Sequence, residues 1–273
     1  MRITEHDNIF TFATEYFDRT TGVFGWINFE DVVIFSIFNR LRNAASNGDI
    51  LEIGTHMGKT AVLLGTFLRD SEFLSVCDIF EKAASDQENK LEVAASYRKD
   101  TPSLFIFKNN YRKFHHKSPV IYNMDSLLLA DQLRDKYFRF IHIDGGHTFN
   151  IISTDLKTAI KCIKDDGVIA IDDWQNFNTI DVAAVFWKTI VEAKLRLILL
   201  THAKAYFSKD KDFDLTELRQ LLKSNEIIFH EKHLFDQKFI MISPQLKNKK
   251  FLKIKKMLPP ILYSGLGKLR NRK

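Results

Sequence analysis

Two short stretches concentrate the residues able to do chemistry. The first is Leu51-Glu52-Ile53-Gly54-Thr55-His56-Met57-Gly58-Lys59-Thr60-Ala61. Gly54 permits a tight strand-to-helix turn, and Gly58 a close backbone approach where the next helix starts, so exposed N–H groups could cradle a ligand there. The second stretch is split, Phe140-Ile-His-Ile-Asp144-Gly-Gly-His147 and Ile169-Ala-Ile-Asp172-Asp173-Trp174. Asp144, Asp172 and Asp173 form an oxygen-rich set suited to Mg²⁺ or another hard divalent ion. The competing reading is a pair of helix caps beside a solvated turn. A cation-held acceptor oxygen would lose its proton more readily. His147 is the expected general base because ordinary imidazole titrates near neutrality, with metal ligation and loop stabilisation as its other readings.

The glycine loop departs from two phosphate-binding patterns. It lacks the earlier glycine of a phosphate loop, and Glu52 stands where the dinucleotide fingerprint has glycine. A carboxylate is poorly placed against a pyrophosphate. It could pair instead with the positive amino-acid end of S-adenosylmethionine, directly or through water. Asp78, closing the next strand, could accept the paired hydroxyls of a ribose. Asp125 and Ser126 are candidates for the adenine edge, with Met124 as a wall, although Asp125 could equally cap the helix beginning near Leu127. Thr55 and Thr60 complete the candidate cofactor set with Gly54, Gly58 and Asp144. His142 reads as a structural histidine inside a strand, and His56 as a loop residue of unknown direction. Trp174 and Phe177 could wall an acceptor pocket, and His202 is a weaker candidate on that side.

These loops need a sheet edge to bring them together. Strand patterns run over Ile50–Ile53, Phe73–Ile79, Pro119–Asn123, Phe138–Ile143, Gly167–Ile171 and Leu195–Leu200, with Ile227–His230 and Lys238–Ile242 as terminal strands. Helical spacing separates them at Thr60–Leu68, Glu88–Lys99, Leu104–Phe114, Ile151–Ile163 and Ala183–Ala193, and two apolar helices precede them. Asp214 and Glu217 have capping-box spacing before a further helix. The repeated strand–helix alternation predicts an α/β, doubly wound, mainly parallel sheet covered on both faces. The expected organisation is an N-terminal helical region over 1–45, the α/β domain over 46–243 and a basic tail over 244–273.

Composition narrows the partners. Ten Lys or Arg and no acid lie between Lys247 and Lys273, and removing those ten from the net charge of +6 leaves −4 for the remainder. The body therefore carries no general signal for nucleic acid. The tail alternates cations with Phe251, Leu252, Ile254 and Met257, a pattern suited to an anionic membrane surface, a partner helix or a solvated extension. Cys77 and Cys162, each in an apolar stretch, read as buried thiols of a reducing compartment. With neither signal segment nor spanning helix evident, the expected location is cytoplasmic, or peripheral to a membrane through the tail. A homo-oligomer is compatible with the chain.

The ordered set Glu52-Ile-Gly-Thr-His-Met-Gly-Lys-Thr-Ala, Asp78, Asp144-Gly-Gly-His147 and Asp172-Asp173-Trp174 resembles class I S-adenosylmethionine-dependent methyltransferases. The resemblance is to the branch of macrocin-type O-methyltransferases and cephalosporin-hydroxylase-like proteins, and covers roughly residues 25–243. It implies a seven-stranded Rossmann-like sheet. It further implies that Glu52, Gly54 and Gly58 hold the methionine moiety, Asp78 the ribose, and Asp144, Asp172 and Asp173 Mg²⁺. Catechol-type relatives carry a lysine where His147 stands, and commonly Asn where Asp173 stands, which argues against a catechol acceptor. The expected activity is O-methylation of a sugar or other small natural product. The alternative is a non-catalytic or differently catalytic nucleotide-binding protein, including an oxidoreductase.

Overall fold

The computed structural model describes residues 8–41, 47–96, 101–133 and 138–243. The basic tail and its expected membrane contact lie outside the described residues, as do positions 97–99 of the expected crossover helix.

Strand alternation builds the molecule. In β1 (Asp49–Ile53), Ile50 packs into one apolar core while Leu51 and Ile53 pack into a second. The same parity recurs in β2 (Leu74–Asp78), where Val76 and Cys77 separate, and in β4 (Phe138–Ile143), where Phe140 and Ile141 do. In β5 (Ile163–Ile171), Ala170 faces the first core and Ile169 and Ile171 the second. A period of two with both faces apolar requires helices on both sides. The first face takes α1 (Ile9–Arg19), α2 (Phe29–Arg40), α3 (Lys59–Thr66), α5 (Leu104–Arg112) and α8 (Thr216–Ser224). The second takes α6 (Phe149–Cys162) and α7 (Ile180–Glu192). Each fully buried Ile, Leu or Phe contributes about 1.5–3 kcal/mol, so the two layers fix the strand ends to which the loops attach.

The sheet has nine strands in the order β3-β2-β1-β4-β5-β7-β6-β9-β8. With β3 (Val120–Asn123), β6 (Arg196–Leu200) and β7 (Ala205–Ser208), seven strands make the expected Rossmann-like sheet. The expectation of seven is corrected by the hairpin β8 (Phe229–Leu234) and β9 (Gln237–Ile242), which extends the edge beyond β6. Strands β1 to β5 pair in parallel, whereas β7 inserts antiparallel between β5 and β6. Strand β7 was absent from the sequence expectation, which placed no element between Leu200 and Asp214.

Helix α2 starts with a capping box, Asn28 and Asp31 bonding each other's backbone N–H. The expected capping box lies at Asp214 and Glu217, at the start of α8. There Asp214 accepts from the N–H and hydroxyl of Thr216, just ahead of the first turn of α8. No helix of the described residues is long and apolar enough to cross a membrane.

Candidate active site

A cavity of about 570 Å³ opens where β1, β2, β4 and β5 end, within the usual range for small-molecule sites. Gly54 borders it at φ +82°, and a Cβ there would lie 2.1 Å from the carbonyl oxygen of Asp144. Only glycine allows the turns after β1 and β4 to meet this closely. Gly58 also has positive φ, at +91°, yet its missing Cβ makes room for the ring of Phe107. It shapes the start of α3 and does not border the cavity.

The carboxylates of the loop are turned inward. Asp78 Oδ2 accepts the N–H groups of Thr55 and His56, each at 2.8 Å, and Oδ1 accepts that of Phe80 at 2.6 Å. Burial raises its pKa against the opposing pull of these three bonds. Glu52 lies beneath the turn, with no exposed surface and no share of the cavity wall. Its oxygens take the Thr55 hydroxyl at 2.6 Å and face His142 Nδ1 at 3.2 Å. Burial pushes Glu52 up to about 8, despite the Thr55 bond. Direct pairing of Glu52 with a ligand is thereby corrected. Strand alternation sends its side chain to the face packed by α2, where His142 is its cross-strand neighbour.

Thr55, Thr60, Asp78, Ile79, Met124, Asp125 and Ser126 all border the cavity. Asp125 caps the 3-10 turn Ser126–Gln132 through Leu127 N–H, and its second oxygen takes the N–H and hydroxyl of Ser85. The capping alternative for Asp125 is thus realised on the cavity wall. His56 lines the mouth beside Trp26, with ring centroids 5.0 Å apart.

Asp144, Asp172, Asp173 and His147 share the opposite wall with Asn176 and Glu92. His147 is held from both sides. Nδ1 meets Glu92 Oε1, Nε2 lies 3.2 Å from Asp173 Oδ2, and the backbone N–H donates to Glu92 Oε2 at 3.0 Å. Burial would lower its pKa, but the bonds to Asp173 and Glu92 outweigh it and push His147 up to about 10. With both nitrogens facing carboxylates it is an imidazolium at neutral pH. The expected base has no lone pair to offer. Asp173, bonded to His147 and to Asn176 Nδ2 at 2.9 Å, is held below the ordinary carboxylate range despite burial. Asp144 is raised well above it by burial and then by Asp172.

Asp172 is equally occupied. Oδ1 accepts the Asp173 N–H at 2.9 Å, and Oδ2 holds the ammonium of Lys204. Two of the acids expected to share Mg²⁺, Asp172 and Asp173, therefore spend their oxygens on protein donors. Donor atoms of His142, Asp144 and Asp172 lie within 4.8 Å of one another, a set that shares Asp144 and Asp172 with the expected ligands and brings His142 in beside them. One imidazole and two carboxylates, one already carrying Lys204, fit an oxygen-seeking Mg²⁺ poorly.

Trp174 packs into the second core and donates its indole N–H to Thr201 O, while Phe177 is 94 % exposed. Neither borders the cavity, nor does His202. Sequence reasoning missed Glu92, which looked like a surface residue of α4 (Gln87–Ser96). It also missed Lys204 and Asp31, whose neighbours arrive from distant elements.

Residues 51–174 match a family model described as a methyltransferase domain. Among solved structures, the O-methyltransferase NovP is similar at 12 % identity, with 64 % of this chain and 78 % of that chain covered and a TM-score of 0.54. The calicheamicin methyltransferase CalS11 is similar at 13 % identity over 76 % of this chain and 94 % of that one, with a TM-score of 0.48. At such identities the likeness is one of fold. No curated protein matches the sequence.

Proposed function

We propose that the chain, whose residues 51–174 match a methyltransferase-domain family model, is a class I S-adenosylmethionine-dependent methyltransferase that methylates a hydroxyl oxygen of a small acceptor, a sugar or another hydroxylated natural product. The observation that carries this reading is a single cavity bordered both by Gly54, Thr55 and Asp78 and by Asp144 and Asp173. The site suits the donor, because the open Gly54 turn, Asp78 and Asp144 border one cavity of about 570 Å³. S-adenosylmethionine supplies an electrophilic methyl group when bound.

Gly54 and Thr55 hold the methionine end, and Thr60 supports it from the first turn of α3. Asp78 fixes the loop and meets the ribose with the acceptor capacity that its three N–H bonds leave. Met124, Asp125 and Ser126 bound the adenine. Asp144, bordering the cavity at the end of β4, takes the proton of the acceptor hydroxyl in its ionised form, which the charge of Lys204 favours. His147 acts as a fixed cation that orients Asp173 beside the acceptor. No step runs through a metal ion.

Calorimetric binding of S-adenosylhomocysteine, followed by methyl release from labelled donor across a panel of sugars and phenols, tests the proposal. Donor binding with turnover of a hydroxylated acceptor is expected. Donor binding with no turnover on any acceptor would favour a non-catalytic binding protein.

A further inference from the structure

Lys204 is 1 % exposed. An ammonium is not buried this deeply without partners. Its partners are carboxylates from two distant elements, Asp172 after β5 and Asp31 in the first turn of α2, the latter at 4.0 Å. The sheet explains the meeting. In the antiparallel β5–β7 pairing Ile169 faces Phe207, Ala170 faces Tyr206 and Ile171 faces Ala205, so the next position sets Lys204 against Asp172. Asp144 follows β4 on the same face, and its charge also acts on Lys204. The ammonium thus stands against the acid pair that would otherwise call for a divalent cation.

We propose that Lys204 is a second fixed cation of the transfer site, beside His147: a positioning residue that holds Asp172 and takes the electrostatic place of a divalent metal beside Asp144. Removing a buried partner leaves its carboxylates uncompensated, and a mobile cation is the available replacement. The role of this cation in methyl transfer rests on the methyltransferase reading, so the test is made without turnover.

Mn²⁺ is titrated into the full chain and followed by electron paramagnetic resonance. The wild type is expected to show no saturable binding below about 1 mM. Lys204→Met, uncharged and of similar length, is expected to bind Mn²⁺ at least about tenfold more tightly, and adding Asp172→Asn should abolish the gain. Lys204→Arg, which keeps the charge, should behave as the wild type. Saturable micromolar binding by the wild type would overturn the proposal, as would a folded Lys204→Met protein with unchanged affinity. If Lys204→Met does not fold, the wild-type and Lys204→Arg titrations still decide. S-adenosylhomocysteine binding, measured in parallel, reports on the methyltransferase reading separately.

Discussion

The two walls of the cavity are built on different principles. On the donor wall, backbone geometry does the shaping, and the acids serve the loop: Asp78 accepts three N–H groups and Glu52 holds Thr55 from below. On the acceptor wall, the backbone only delivers charges, which pair across elements as Glu92 with His147, His147 with Asp173, and Lys204 with Asp172. A carboxylate near a ligand site is therefore not by itself a ligand contact. Its oxygens must be counted, because those already spent on N–H or ammonium groups shape the site, and only the remainder can meet a substrate.

The largest expected effect falls on the donor wall. Gly54→Ala places a Cβ against Asp144 O in a left-handed backbone. It should cost about 3 kcal/mol of stability and remove S-adenosylhomocysteine binding, seen by denaturant unfolding and calorimetry. Intact donor binding would show that the backbone does not set this wall. On the acceptor wall, Asp144→Asn should reduce kcat about a hundredfold or more while donor affinity stays within about threefold. A loss of donor affinity as large as that of kcat would merge the two walls into one. Glu92→Gln sharpens the acceptor side. By loosening His147 it should lower kcat about tenfold with an unchanged donor KM, and steady-state kinetics reads that split.

The smallest effect is a pH dependence. Glu52 keeps its proton in the folded chain up to about pH 8, whereas an unfolded glutamate releases it near 4.5. The native state then binds the extra proton, so this group's stabilisation falls as pH rises between those values and is flat above them. Glu52→Gln should flatten that part of the slope in a thermal-melt series from pH 5 to 8. An identical slope in the variant would place the proton elsewhere.

The sequence by itself determined the glycine turn after β1, the strands of the parallel half and the end of the sheet that carries the loops. Those features are local: a glycine turn, an apolar alternation and an acid closing a strand are written within a few consecutive residues. Which side of a strand faced the cavity was not legible at Glu52, because parity has meaning only once a helix covers one face. The charge state of His147 was likewise hidden, since Glu92 comes from a helix that reads as surface. Only the tertiary structure placed Lys204 against Asp172, through the antiparallel register of β7 against β5. Buried charge pairing is settled by distance in space, and contacts between residues so far apart along the chain exist only after the sheet has closed.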